Sequence, residues 1–503
     1  MYRSCNDLVE DLRNALNIVT NTTIAYEVEY AAIGLTSSTK FDVLELTIRI
    51  YDVSSIPSDG SSLRLIATSE KPIKASYNTA LSNNGTVILA VSSSINTYTL
   101  TEDLLRFHPQ YCGLSSTEYT KLATDVASNL TETFIENMLE ELQVELDDGT
   151  CDNIVQISAL KSGDASIVNT FVQLITFNMS SDFVDGSIVT NAAGSFSPGL
   201  PYVHAAKDFV ALLSSGSQYN FTASKWFDST FILGFDISGG GGGSDNDGTM
   251  LAPRPFCFAE ISGATNADQW SADLYDGHLR VFTGDYVFNE THSSQTYKIS
   301  VLKVPPPMSD AGTNMVVTGQ ISLDFTPPYD MTLFVRFDRN WGYFATSDGP
   351  PVSVYDLSDP SDPKMICELE TSGDFTYLEA INIDGVPHLL GVGDTSSSSE
   401  SGFKIIVFDM SDPTKPQQKI SYVEKGAYSD SGYEISHVLS EDISSTCNTS
   451  AIMPARSFVF ESKLTTILSH SVIVTDLETG ANLWTYNLED RSNSINCLNY
   501  DEV

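Results

Sequence analysis

The sequence predicts an all-β chain built from repeated four-stranded units, and three observations predict it. A strand-plus-turn phrase is written twice in one register, "VYDLSDPSDPK" from Val354 to Lys364 and "VFDMSDPTKPQ" from Val407 to Gln417, 53 residues apart. Fainter copies of the phrase recur along the chain. The composition is that of many short strands joined by polar turns, with abundant Ser and Thr, frequent Val, Ile, Tyr and Phe, and 32 Gly and 20 Pro spread throughout.

The fainter copies are "LTIRIYDVSSIP" (46–57), "VQLITFNMSSD" (172–182), "FILGFDISGGG" (231–241), "YKISVLKVPPP" (297–307) and "SVIVTDLETG" (471–480). Taking Asp52, Asn178, Asp236, Lys303, Asp356, Asp409 and Asp476 as equivalent, the intervals are 126, 58, 67, 53, 53 and 67 residues. Propeller blades of four strands span about 40 to 50 residues, so these are slightly long blades. The first interval holds one blade with an insertion, or two blades. The expectation is therefore a seven- or eight-bladed β-propeller over residues 26–503. Stretches such as "GHLRVFTGDYVF" (277–288), "WGYFATSD" (341–348) and "VPHLLGVGD" (386–394) supply a preceding strand in each unit.

Residues 1–25 form a separate N-terminal element or a partial first one, with Leu8, Leu12 and Leu16 on one side of a short helix over Asn6 to Asn17. Between 115 and 146 the period changes. Leu122, Val126, Leu130, Phe134, Met138 and Leu142 recur every four residues, which predicts an inserted amphipathic helix, with Ser115 and Glu118 spaced as a capping box. The run "SGGGGGSDNDG" (238–248) offers nothing to pack and reads as a flexible loop.

The net charge is −39, from 26 Lys+Arg against 65 Asp+Glu. Such a surface repels nucleic acid and anionic membranes. No run of 18 apolar residues is present, so no transmembrane segment is expected. The opening "MYRSCNDLVEDL" lacks the apolar core of a signal peptide, so the protein is cytosolic or the chain lacks its true N-terminus. Sequons at Asn21, Asn84, Asn129, Asn178, Asn220, Asn289 and Asn448 permit a glycoprotein. Among seven cysteines there is no C-x-x-C. Cys112 and Cys151 flank the helical insertion, and Cys447 and Cys497 share the C-terminal stretch; both pairs are disulfide candidates in an oxidising compartment.

No catalytic motif was found: there is no G-x-S-x-G elbow, H-E-x-x-H pair or phosphate loop. The seven His are scattered singly. No cofactor is implied, and calcium is the one ion the acidic turns leave open. "DNDG" (245–248), set as a calcium loop with Gly248 sixth, puts Gly243 and Arg254 at ligand positions, and both are wrong. Asp356 with Asp359, and Asp409 with Asp412, are better read as carboxylates that cap turns, since Pro follows each second Asp and turn chemistry explains the choice. Trp341 and Trp484 read as core.

The stretch "LFVRFDRNWGYFATSDGPPVSVYDLSDPSDPKMICELETSGDFTYLEAINIDGVPHLLGVGD", followed by "GFKIIVFDMSDPTKPQ", resembles a family of secreted proteins with a C-terminal β-propeller domain, distantly related to Trp-Asp repeat propellers. "DGHLRVFTG", "IRIYDVSS" and "LITFNMSS" extend the likeness to roughly 40–490. Two departures stand out. The family's acidic opening strand is not found near "CNDLVEDL", and Tyr377-Leu378-Glu379-Ala380 stands where the family has a Tyr-Leu-His-Pro phrase. The resemblance implies a secreted or cell-surface address and carries no agreed activity. The expected function is an extracytoplasmic binding, adhesion or scaffold propeller for a protein or glycan. The alternatives are a hydrolase or lyase with its site at the central channel, and a structural module of a longer secreted protein.

Overall fold

A computed structural model describes residues 10 and 13, residues 45–94, 154–156, 170–237, 253–306, 313–323 and 333–429 with short gaps, and five strands between 439 and 487. The inserted helix at 115–146, the Gly-rich loop at 238–248 and Cys112, Cys151, Cys447 and Cys497 lie outside the described residues. Of the N-terminal element, Glu10 and Arg13 are helical and pair at 3.8 Å. The described residues divide into two compact units: 1–269 with 283–294 and 302–317, and 270–282 with 295–301 and 318–503. No helix among the described residues is long and apolar enough to cross a membrane.

The described residues are almost all strand, set in six sheets of four, one of five and two of two. One sheet orders Ser76–Asn83, Thr86–Ser94, Thr170–Asn178 and Asn191–Ser197; others run Leu333–Asp338, Trp341–Thr346, Gly349–Asp356 and Lys364–Leu369, then Asp374–Ile383, Val386–Ser397, Glu400–Asp409 and Gln417–Lys425. Each is antiparallel throughout; the last two join strands consecutive in sequence, while in the first Phe183–Val184 and Ser187–Ile188, which belong to another sheet, come between the third and fourth strands. All seven marker positions end a strand, and in six the strand is the third of its sheet. The exception is Asp52, whose strand Arg49–Asp52 is a sheet edge. Its partner Arg64–Ser69 pairs in parallel with Ser187–Ile188, Thr68 opposite Ser187.

The marker phrase has a mechanical reason. Asp356 Oδ1 accepts the Ser358 N–H at 2.9 Å, and Asp359 Oδ1 accepts the Ser361 N–H at 2.9 Å. Asp409 and Asp412 do the same for Ser411 (2.9 Å) and Thr414 (3.1 Å). These are Asx turns, which satisfy backbone donors where the ladder stops. The apolar residue after the first Asp is buried, and its N–H reaches back to the start of the second strand or the turn before it: Leu357 to the Asn340 carbonyl (2.7 Å) and Met410 to that of Pro387 (2.9 Å). In four sheets the third and fourth strands also slip by one residue just before the marker, at Gly234/Phe235, Val354/Tyr355, Val407/Phe408 and Val474/Thr475. Each slip is a bulge on the fourth strand, which bends it and increases its twist.

Alternation along the third strand decides the packing between sheets. Within Gly349–Asp356, Val352 and Val354 join a core with Phe375, Leu378, Leu389, Ile406 and Phe408 of the following sheet. Tyr355 and then Leu357 face the other way, into a core with Phe282, Tyr297, Ile299 and Val301. The strand is thus buried on both faces, and each large apolar side chain so buried contributes about 1.5–3 kcal/mol. In the first unit, Ile88, Val172 and Leu174 pack similarly against Val210, Leu212, Phe231 and Phe235.

Candidate functional site

Three first strands of the second unit bring unlike side chains together. Leu333–Asp338 alternates, so that Val335 and Phe337 enter one apolar core while Phe334 and Arg336 lie on the opposite face. Asp374–Ile383 carries a bulge between Phe375 and Tyr377. The extra residue re-aims the strand. Phe375 and Leu378 share one core, while Tyr377 falls with Ile381 and Ile383 on the other side. Trp270 stands just ahead of the strand Ala272–Tyr275.

Arg336 is the centre of the group and is buried at 6% exposure. Its guanidinium lies over the Trp270 ring, 3.1 Å from the centroid, and 5.9 Å from that of Tyr377. It pairs with Glu379 through Oε2. The Tyr377 hydroxyl donates to the same Oε2 at 2.6 Å, and the Tyr377 and Trp270 rings meet edge to face at 6.4 Å. Burial raises the Tyr377 phenol above its ordinary value, with Arg336 opposing. The phenol therefore stays a donor at neutral pH. A buried cation is thus held by one carboxylate and two aromatic faces, an arrangement that lowers the cost of desolvating it.

A second buried arginine repeats the pattern. Arg280, 2% exposed, pairs with Asp273, donates to the Arg339 carbonyl, and sits 5.3 Å from the Tyr275 ring and 5.2 Å from that of Phe337. It lies beneath the two-residue turn at Arg339-Asn340, where Arg339 adopts φ +46°. This site is closed by its partners and reads as a structural tie.

In the first unit, a cavity of about 20 Å³ beside Ser195, Ser197 and Ser214 has room for about one water.

The aspartates singled out from the sequence do not join either group. Their oxygens serve turns, and hydrogen bonds to Ser411, Ser361 and Thr414 hold the carboxyls of Asp409, Asp359 and Asp412 below the usual range. No group of three or more His, Cys, Asp or Glu among the described residues is placed to hold a metal. His278 and His388 each bond a carbonyl two residues back, those of Asp276 and Val386. Trp341 packs against the core of its sheet. Cys257 is a buried free thiol pushed up to about 12 by desolvation, and Cys367 is free and donates to the Pro413 carbonyl at 3.4 Å. Trp270 and Arg336 carry no local motif. Glu379 was visible only as the residue replacing a family histidine.

Comparison with known proteins places the chain. The profile of a family described as Beta propeller domain matches residues 12–439. A protein of Archaeoglobus fulgidus described as uncharacterised is 39% identical over 90 residues, covering 18% of this chain and 13% of that protein. A similarly described protein of Methanocaldococcus jannaschii is 28% identical over 160 residues, covering 31% and 22%. The chain spans less than a quarter of the length of either relative. Among solved structures, the periplasmic gluconolactonase PpgL of Pseudomonas aeruginosa aligns over 63% of this chain and 79% of its own, at 13% identity and a TM-score of 0.34.

Proposed function

The chain belongs to the beta propeller domain family, and on that premise we propose that it acts outside the cytoplasm as a binding or adhesion module for a protein or glycan. The observation that carries this reading is the convergence of Arg336, Tyr377 and Glu379 from two first strands with Trp270 from the turn ahead of a third. First strands are the innermost of a propeller blade, so residues contributed by several of them form a shared surface on rigid elements. The aromatic and arginine content of that surface is the composition that anchors interfaces. The charge of −39 restricts partners to neutral or basic ones.

The test is capture on immobilised protein from an extracellular matrix extract and on a glycan array, with Trp270→Ala alongside. Retention by the parent chain and loss in the variant supports the proposal. Two blank results sink it. A hydrolase or lyase is the second reading, favoured by the carboxylate and phenol lying 2.6 Å apart in the same cluster. Turnover of a hydrolase or lyase substrate, abolished by Tyr377→Phe, would replace the binding reading with this one.

A further inference from the structure

We infer that the Trp270–Arg336–Tyr377–Glu379 cluster is a subsite for an uncharged sugar ring, an inference that rests on the binding function proposed above. The argument starts from one carboxylate. Glu379 uses Oε2 twice, for the Arg336 guanidinium and for the Tyr377 hydroxyl. No donor among the described residues is directed at Oε1. The Glu379 side chain keeps 27% exposure, against 7% for Arg336. The half of the pair that reaches solvent is therefore an acceptor, held in place from behind by two donors.

Charge then selects what approaches it. Glu379 is already compensated by a buried guanidinium. An ammonium or second guanidinium would gain little from the carboxylate and would meet the positive charge of Arg336 in a poorly screened setting. An anion would meet Glu379 and a chain of net charge −39. A neutral hydroxyl meets neither obstacle and donates to Oε1 at full strength, since hydrogen bonds to an ionised acceptor are the stronger kind. The two rings narrow the class further. Trp270 and Tyr377 are both half-buried and stand edge to face. Rings of this kind offer an apolar body next to a polar tip. A molecule with hydroxyls on its rim and C–H groups on its face matches a carboxylate oxygen flanked by aromatic rings, and a pyranose is such a molecule. Arg336, Tyr377 and Glu379 are fixed on strands and Trp270 stands two residues ahead of one, so most of the geometry exists before the ligand arrives.

The test uses the full chain labelled with ¹⁵N-tryptophan, which has four indole signals to follow. Trp270→Phe assigns one of them. Neutral oligosaccharides of glucose, galactose, mannose and N-acetylglucosamine are titrated in, beside a glucosamine oligomer as the cationic arm and a uronate oligomer as the anionic arm. The expected result is a shift of the Trp270 signal with a neutral oligosaccharide only, and weakening of that affinity on the order of tenfold in Trp270→Ala. Should that variant fail to fold, Tyr377→Phe replaces it, and the signals of the parent chain still decide the question. Stronger binding of the cationic arm overturns the inference, as does sugar binding that leaves the Trp270 signal in place. If no sugar binds and a matrix protein is captured in a Trp270-dependent way, the sugar inference falls while the binding function stands. If neither is retained, both fall.

Discussion

Breaking the Arg336–Glu379 pair from each side should cost unequal amounts, and removing both should cost less than the sum. Losing one partner of a fully buried ion pair costs about 3–5 kcal/mol. Here only Arg336 is fully buried, and Glu379 keeps 27% side-chain exposure, so the pair is worth less than that range. Glu379→Ala takes the carboxylate from a buried guanidinium that retains its two rings, for an expected loss of about 2.5 kcal/mol. Arg336→Met keeps an apolar stem against Trp270 and leaves a carboxylate that water can reach, for a loss of about 1.5 kcal/mol. The double variant holds no stranded charge and should lie about 2.5 kcal/mol below the parent, where simple addition gives about 4 kcal/mol, a coupling of about 1.5 kcal/mol. Native-state hydrogen exchange of peptides covering 333–338 and 374–383 reads these free energies locally. A double variant equal to the sum of the singles refutes the reasoning, because it would mean that the two charges do not depend on each other.

Three further outcomes follow from single positions. A Cβ added at Gly391 would run into the Phe375 ring, with Cδ1 at 2.9 Å, and that ring is 1% exposed; Gly391→Ala should therefore lower urea stability by about 1–3 kcal/mol, and adding Phe375→Leu should recover part of it. Arg339 occupies a left-handed conformation at φ +46°, so Arg339→Gly should raise stability by about 0.5–1 kcal/mol, and a loss would show that its side chain matters more than its backbone. The Ser411 hydroxyl is the first cause of the lowered Asp409 carboxyl, so Ser411→Ala should raise that carboxyl toward the ordinary value in an NMR titration. A carboxyl held low in the folded state contributes stability above the unfolded value of about 3.9, and loses it as pH falls toward the folded one. The variant should accordingly be less sensitive to acid than the parent, and an unchanged acid limb would count against the turn as its source.

The repeat was legible because one turn chemistry is written in full at two strand ends. Asp, a Ser two residues on and then Asp-Pro announce a turn from local sequence alone, and Asp356 and Asp409 behave as that chemistry requires. The fourth-strand bulges were not legible. They depend on which residue faces which across a ladder, and nothing in "KMICEL" marks Ile366 as the one skipped. The candidate site was hidden for the same reason. Trp270, Arg336 and Glu379 are separated by 66 and 43 residues and meet only because successive units place first strands side by side. An arginine in an otherwise apolar strand, "LFVRFD", was the available signal, and its meaning needed the partner strand to be known.

The parallel pairing of Thr68 with Ser187 has a consequence for the order in which the chain folds. Most ladders in the described residues join near neighbours, but this one closes a loop of 119 residues. Within that loop lie Ser76–Asn83, Thr86–Ser94 and Thr170–Asn178, three strands of a complete neighbouring sheet. Closing so long a loop as open chain forfeits conformational freedom, and the loss shrinks once the intervening residues are already compact. This sheet, begun at Arg49, is then completed only after the three strands inside its loop. On a ribosome, the edge at Arg64–Ser69 waits unpaired until more than a hundred further residues have emerged, and during that interval it is the segment most open to capture by the wrong strand.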